Sequence, residues 1–310
     1  MTRIRVANAP CSWGILEFSG LERDRISSSQ MLDEMRATGY EGTEFGDWGH
    51  LPTEPEQLGE LLEQHQLTMV GAFVPVAFRF AERLASAEQE VLRLARLLAA
   101  VATEEHTPLL ILADENGTDS RRTGNAGRVT PEMGLTADEW KHFARNVEQL
   151  ARLIRDETGL EAAFHHHCAG FVETPAEIER LLELTAPELV GLVFDTGHYL
   201  YGSGTNNGQV VSHGFARLLP RIRHVHLKDC HPGVAAQART AGWDYFTALA
   251  QGVFCKLGQG AVPFADIVQQ MRESAYAGWI VVEQDILPGA TEEPRESARR
   301  NRDYLRTLGL

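Results

Sequence analysis

LVGLVFDTGH, residues 189–198, is the stretch on which the reading of the fold turns. Residues 189–194 are all apolar or glycine, about the length of one strand, and a strand buried on both faces is what a parallel sheet inside a helical shell requires. The run stops at an acid. Asp195 stands at the predicted carboxyl end, Gly197 allows a sharp exit, and His198 follows within a turn's reach. In α/β barrels the catalytic groups collect at the carboxyl ends of the strands, so polar residues at this boundary call for a functional reason.

The same unit recurs on both sides. Upstream, strands are predicted at 4–9, 40–45, 67–76, 108–113 and 160–167, and downstream at 222–227 and 279–282. Between them, helices are predicted at 31–37, from a Thr53/Glu56 capping box to 65, at 81–102 and from a Thr136/Glu139 box to 158. Others follow a Thr174/Glu177 box and span 210–219, 263–274 and 294–308, with a short helix near 245–251. Eight strands alternating with about eight helices make an α/β chain that closes as a (β/α)8 TIM barrel. A chain of 310 residues suits one such domain over 1–310. Segment 117–135, rich in Gly, Arg, Thr and Asn, is too long for a simple connection and reads as a lid or active-site loop, or else as a disordered stretch. Its Arg121, Arg122 and Arg128 read as solvated charges unless the segment closes over an anionic substrate.

The net charge of -14, from 43 acidic and 29 basic side chains, argues against a nucleic-acid backbone or an anionic membrane as partner. Cys11, Cys168, Cys230 and Cys255 are far apart, with no Cys-x-x-Cys pair, as in a reduced cytoplasmic protein. MTRIRVANAP enters a strand pattern directly, and no uninterrupted apolar segment of about 18 residues occurs, so neither a signal peptide nor a membrane span is expected. There is no Gly-x-Gly-x-x-Gly after the first strand and no P-loop motif, which removes support for a nucleotide-binding fold. Pairing of two barrels into a homo-oligomer stays open, since no surface marks an interface.

The ends of consecutive strands carry His165 and His167, then Asp195 and His198, then His224 and His226 with Lys228 and Asp229, then Glu283. Side chains alternate along a strand, so His165 shares a face with His167, and His224 with His226, while His166 points away. A lone histidine at a strand end is more often a hydrogen-bonded core or surface residue than a ligand. Neighbouring strands that all end in Asp, Glu or His are a different case. They offer a mixed nitrogen and oxygen site for a divalent transition metal such as manganese, cobalt, iron or zinc, with no thiolate. Glu44 reads as a further polar wall or a solvated charge, and Trp13, Trp48 and Phe73 as the apolar side of a pocket or as barrel packing. Lys228 and Asp229 read as site residues or as a salt bridge at the rim.

At these residues the chain resembles the sugar isomerase and epimerase superfamily of xylose isomerase-like TIM barrels, to which endonuclease IV also belongs, over nearly its whole length. In that superfamily the Asp of an Asp-Thr-x-His motif, the His of a His-x-x-Asp motif and a Glu ending the eighth strand bind metal. The resemblance therefore makes Asp195, His226 and Glu283 ligands. The usual fourth ligand is a Glu ending the fifth strand, where this chain has FHHHCAG; strand position then assigns His165, with His167 as its catalytic neighbour and the other candidate for that place. The His-x-His, NAPCSW, GTEFGDWGHLPTEP and VVEQD stretches are similar to those of the inosose dehydratases. That likeness implies Mn2+ or Co2+, with Zn2+ or Fe2+ as further choices, and removal of water from a keto-cyclitol or keto-sugar such as 2-keto-myo-inositol.

A ketone oxygen and a neighbouring hydroxyl can chelate such a cation, which stabilises the enediolate left when an α-proton departs. In this scheme His167 is the base, Glu283 positions or shares the proton, and His198 or Lys228 assists the leaving hydroxyl. Trp13, Glu44, Phe73 and Asp229 then contact the keto-polyol substrate. The alternative is a divalent-metal-dependent ketose isomerase or epimerase, which differs only in where the proton returns. The absence of paired acids on strands five and eight favours elimination. An endonuclease IV-like repair enzyme would need more ligands and a less acidic surface. A silent sugar-binding barrel would hold metal without turnover.

Overall fold

Each apolar run becomes a strand that pairs in parallel with its neighbour, because the intervening helix returns the chain to the same end of the sheet. The computed structural model describes residues 4–15, 26–287 and 292–310. Its first half contains β1 (Arg5–Asn8), α1 (Ser28–Thr38), β2 (Gly42–Glu44), α2 (Pro55–His65), β3 (Thr68–Val76), α3 (Ala81–Ala100), β4 (Leu109–Asp114), α4 (Ser120–Gly124) and α5 (Ala137–Thr158). After these come β5 (Ala162–His165), α6 (Pro175–Leu184), β6 (Val190–Asp195), α7 (Thr196–Gly202), α8 (Gln209–Leu218), β7 (Ile222–Leu227), β8 (Asp229–Cys230) and α9 (Pro232–Ala241). The chain ends with α10 (Tyr245–Ala250), β9 (Phe254–Cys255), α11 (Phe264–Glu273), β10 (Trp279–Val282) and α12 (Pro294–Thr307). A closed barrel forms in the order β1-β10-β7-β6-β5-β4-β3-β2, and β8 and β9 make a separate antiparallel pair. This is the α/β barrel that the alternation predicts. The single domain expected over 1–310 includes residues 1–3, 16–25 and 288–291, which lie outside the described ones. No helix among the described residues is long and apolar enough to cross a membrane.

Alternation along the strands splits the core in two. Val6, Leu110, Leu112, Phe164, Leu192 and Val225 pack toward the helices in one large cluster. Ala7, Val70, Trp279 and Val281, and separately Leu109, Ile111, Ala163 and Val193, fill the barrel. One pleat further on from Ala163, Val193 and Val281 stand His165, Asp195 and Glu283. The candidate site is thus the next layer of the barrel's own packing, and the ladder sets Asp195 directly opposite His226.

The boxes at Thr136 and Thr174 form as expected, with Glu139 and Glu177. The one at Thr53 does not. Glu54 caps α2 without a side-chain hydrogen bond, and Pro55 in the first turn supplies the start through its fixed φ. The fifth strand, expected to reach 167, stops at His165. The chain then turns through Ala169, left-handed at φ 70°, and the His167 N–H donates across the turn to the Val172 carbonyl (3.1 Å).

Segment 117–135 holds α4 and a 3-10 turn (Pro131–Met133), and its Arg122, expected in solvent, is completely buried. The guanidinium donates to both oxygens of Glu177 (2.7 and 2.8 Å) and to the Gly170 carbonyl (2.7 Å). Beside it, buried Glu173 accepts the N–H groups of Gly127 (2.7 Å) and Ala169 (2.8 Å), and Asp114 accepts that of Phe171 (2.9 Å). Arg121 is exposed, whereas Arg128 is half-buried and donates to the Trp243 carbonyl (2.8 Å). The segment is fastened to the turn between β5 and α6. Arg122→Ala would strand the Glu177 carboxylate, and breaking one side of a buried pair costs about 3–5 kcal/mol. Urea unfolding should show a lower midpoint at unchanged slope.

Burial raises Asp114 to about 7 against the Phe171 N–H, and raises Glu173 to about 7 against Arg122 and two backbone N–H groups. Both carboxyls hold protons longer in the folded chain than in the unfolded one. Between about pH 4 and 7 the folded state therefore binds more protons, and stability on their account falls as pH rises through that window. Glu173→Gln should flatten the fall in unfolding free energy between about pH 4 and 7, although it gives up one backbone hydrogen bond.

Candidate metal centre

Asp195 has two roles because β6 runs straight into α7. As the N-cap of that helix, its Oδ1 accepts the His198 backbone N–H (2.7 Å), which locks the carboxylate and leaves Oδ2 buried and without a hydrogen bond. Thr196 Oγ1 donates to the Lys228 carbonyl (2.7 Å) and accepts the Lys228 N–H (3.0 Å), stitching the ends of β6 and β7 together. Gly197, expected to allow a sharp exit, lies inside α7 and supplies space instead. A Cβ there would stand 2.8 Å from Cγ of Lys228.

His165, Asp195, His226 and Glu283 meet, with one ligand atom from each within 4.8 Å of the others. Asp195 Oδ2 lies 3.8 Å from His165 Nε2, and Glu283 Oε1 lies 3.2 Å from His226 Nδ1. Asp195 Oδ2 and His165 Nδ1 are buried without hydrogen-bond partners, which native interiors rarely allow unless the atoms serve another group. Burial, together with the charge on His226, lowers His165 to about 3, so its ring is neutral and offers a lone pair. Burial works against ionising Glu283, but His226 and Lys228 hold it well below the usual carboxylate range. Burial likewise disfavours charge on His226, yet Glu283 and Glu44 push it well above the ordinary histidine value. The carboxylates around this buried point ask for positive charge, and two nitrogens with two oxygens suit a divalent transition metal.

Lys228 Nζ lies 3.1 Å from Glu283 Oε2, 3.1 Å from Asp285 Oδ2 and 3.4 Å from His198 Nε2. Burial alone would strip its proton, but Asp285, Glu283 and Asp195 keep it well above the usual lysine value, so the side chain is a fixed ammonium. His198 is fully buried, packs on Phe254 (4.7 Å between ring centroids) and reaches Lys228 rather than the cleft. His167 Nδ1 lies 2.6 Å from the Cys168 carbonyl and 2.7 Å from Asn116 Nδ2, and Nε2 lies 3.2 Å from that same amide nitrogen; a carbonyl only accepts, so Nδ1 carries the proton and Nε2 the lone pair. Burial, with His165 beside it, lowers His167 to about 3, so it is unprotonated through the neutral range. His166 points away, as strand parity predicts, and its Nε2 accepts the Asp195 N–H (3.1 Å).

The cleft over the cluster is lined by Ala9, Pro10, Cys11, Ile15, Glu44, Gly46, Phe73, His165, His167 and Glu283. Phe73 stands edge-on to His165 (5.8 Å, 81°). Glu44 lines this cleft yet is buried, with Oε1 2.9 Å from Nε2 of both His224 and His226. Two residues expected to bind substrate are elsewhere. Trp13 is buried in the core on the helix side and donates to Glu34 (2.8 Å). Asp229 turns into its own loop, where its carboxylate accepts the N–H groups of Cys230, Gly258, Gly260 and Val262, so it shapes the rim and forms no salt bridge with Lys228. Trp48 borders a neighbouring cavity, under Arg93 (3.8 Å). Segment 117–135 contributes none of the lining residues and borders instead a separate cavity of about 630 Å³ with Trp140 and Thr174. Asp285 and Asn116 were not among the expected site residues. The first could have been found as an acid sharing the parity of Glu283, while the second depends on the turn after β5.

A family model described as xylose isomerase-like TIM barrel matches residues 32–308. The inosose dehydratase of Geobacillus kaustophilus (strain HTA426) is 32% identical over 307 residues, covering 98% of this chain and 94% of that protein. Among solved structures, the probable 3-DHS dehydratase AsbF of Bacillus anthracis matches with a TM-score of 0.69 at 13% identity, covering 98% of this chain and 99% of that one. The IOLI protein with a binding zinc atom matches with a TM-score of 0.67 at 15% identity, covering 98% of each chain. At these identities the two structures speak for the fold.

Proposed function

The chain belongs to the xylose isomerase-like TIM barrel family, and from that premise we propose that it is a hydro-lyase of the inosose dehydratase type, taking water from 2-keto-myo-inositol or a close keto-cyclitol. The observation that carries this reading is a buried cluster of two histidines, an aspartate and a glutamate joined, through that glutamate, to a lysine held as ammonium. His165, Asp195, His226 and Glu283 would hold a divalent cation, manganese or cobalt by the resemblance and zinc or iron by the donor set. When bound, it would act as a Lewis acid on the ketone oxygen and stabilise the enediolate.

His167, unprotonated at the cleft, takes the α-proton on Nε2. The electron pair of the broken C–H bond forms the new carbon–carbon double bond as the β C–O bond breaks. Lys228 supplies the proton with which the hydroxyl leaves as water, with His198 behind it and Asp285 beside it holding the ammonium in place. Phe73 gives the substrate an apolar wall. A ketose isomerase or epimerase would share the cation and the enediolate but has no departing hydroxyl to protonate, and the fixed ammonium of Lys228 favours elimination. The partner is a small keto-polyol, and the four free cysteines fit a reducing, cytoplasmic setting.

Manganese-loaded protein given 2-keto-myo-inositol should develop the absorbance of the dehydrated diketone. Exchange of the α-proton with solvent, without that absorbance, would replace the dehydratase reading with the epimerase one.

A further inference from the structure

Glu44 lies at the end of β2, a strand that gives no ligand to the cluster, and shares the inward face of Gly42, where a Cβ would meet Val70 and Trp279 of the barrel interior. Its Oε1 accepts from Nε2 of His226 (2.9 Å) and from Nε2 of His224 (2.9 Å), and all three side chains are buried. With Nε2 of His226 committed to Glu44, only Nδ1 is left to face Glu283 (3.2 Å) and the cluster. The outer nitrogen of a ligating histidine usually donates to a carboxylate or carbonyl, and that bond decides which nitrogen carries the lone pair.

We propose that Glu44 is the positioning residue of the metal centre: it holds His226 in the tautomer with the proton on Nε2 and the lone pair on Nδ1, and His224 in turn holds Glu44. The inference rests on reading His165, Asp195, His226 and Glu283 as the cation site. Glu44, His224 and His226 also lie close enough to one another to be considered a second cation site, but their facing atoms already hydrogen-bond to each other. The far side of His224 borders a cavity of about 370 Å³ at the amino end of the barrel, lined also by His106, Arg223 and Trp279. A small molecule can therefore approach the His224 position without entering the substrate cleft.

The test is calorimetric titration of Mn2+ into the metal-free wild type, Glu44→Gln and His224→Ala. Glu44→Gln should weaken Mn2+ by about 10–100-fold, and His224→Ala by less. Imidazole, entering the cavity that His224→Ala enlarges, should restore much of the latter's affinity, which a merely structural defect would not permit. Circular dichroism checks folding, and if Glu44→Gln does not fold, His224→Ala and its rescue decide. Wild-type affinity in Glu44→Gln, or in His224→Ala, overturns the proposal and leaves the metal reading standing. A wild type that binds no Mn2+ overturns both.

Discussion

Asp195→Ala is expected to lower kcat/KM on 2-keto-myo-inositol by at least about a thousandfold, or about 4 kcal/mol at about 1.4 kcal/mol per tenfold, and to leave the dialysed protein short of metal. The size of the effect reflects the two roles of one carboxylate. Oδ2 belongs to the cluster, while Oδ1 caps α7 through the His198 N–H. Loss of the cap alone costs about 1 kcal/mol of stability. Asp195→Asn separates the two. An amide oxygen can still accept the His198 N–H, so thermal unfolding should stay close to wild type, but a neutral group cannot replace the anionic oxygen at the centre. Metal analysis of the dialysed Asn variant is the deciding measurement, and full occupancy there would remove Asp195 from the ligand set.

His167→Gln should show the opposite pattern, keeping its metal and losing about 10²–10⁴ in kcat, the range for removal of a general base. Glutamine can still hydrogen-bond to Asn116 and to the Cys168 carbonyl but cannot take up a proton. The same variant decides between the two histidines of the fifth strand. If His167 rather than His165 completed the ligand set, His167→Gln would lose metal along with activity and His165→Gln would keep it. The geometry favours His165, which stands 3.8 Å from Asp195 Oδ2 and meets the cluster, while His167 lines the cleft with its ring held at the Cys168 carbonyl. Full turnover by His167→Gln with metal bound would transfer the role of base to another residue.

Much of this arrangement can be read before any coordinates are seen, because in a parallel barrel burial and strand identity coincide. The runs 222–227 and 279–282 are strands to the residue, and strand parity alone separates His165 and His167 from His166, which faces Phe194 and Tyr199 outside the barrel. What could not be read is whatever depends on a partner distant in sequence. Arg122 looks like a surface charge until Glu177 and the Gly170 carbonyl close over it. Asp229 ends a strand as a site acid would, but the backbone N–H groups of 258–262 claim its oxygens. Trp13 sits among motif residues, yet its indole is taken by Glu34 on α1. Glu44 reads as polar and near the site, but its two histidine partners, 180 and 182 residues further along the chain, emerge only in the fold.

The contact between Gly197 and Lys228 has a bearing on descent. The volume that a side chain at 197 would need is filled by the stem of a lysine 31 residues further along the chain. These two positions are therefore not free to drift apart in a lineage. A Cβ at 197 would stand 2.8 Å from Cγ, 2.9 Å from Cβ and 3.0 Å from the carbonyl oxygen of residue 228, so alanine or serine there has to shift the end of the seventh strand itself, and with it the buried ammonium. Glycine at 197 is thus a condition on the backbone path that sets the residue at 228 in place, and a relative with a side chain at 197 would carry a displaced strand end whatever residue it has at 228.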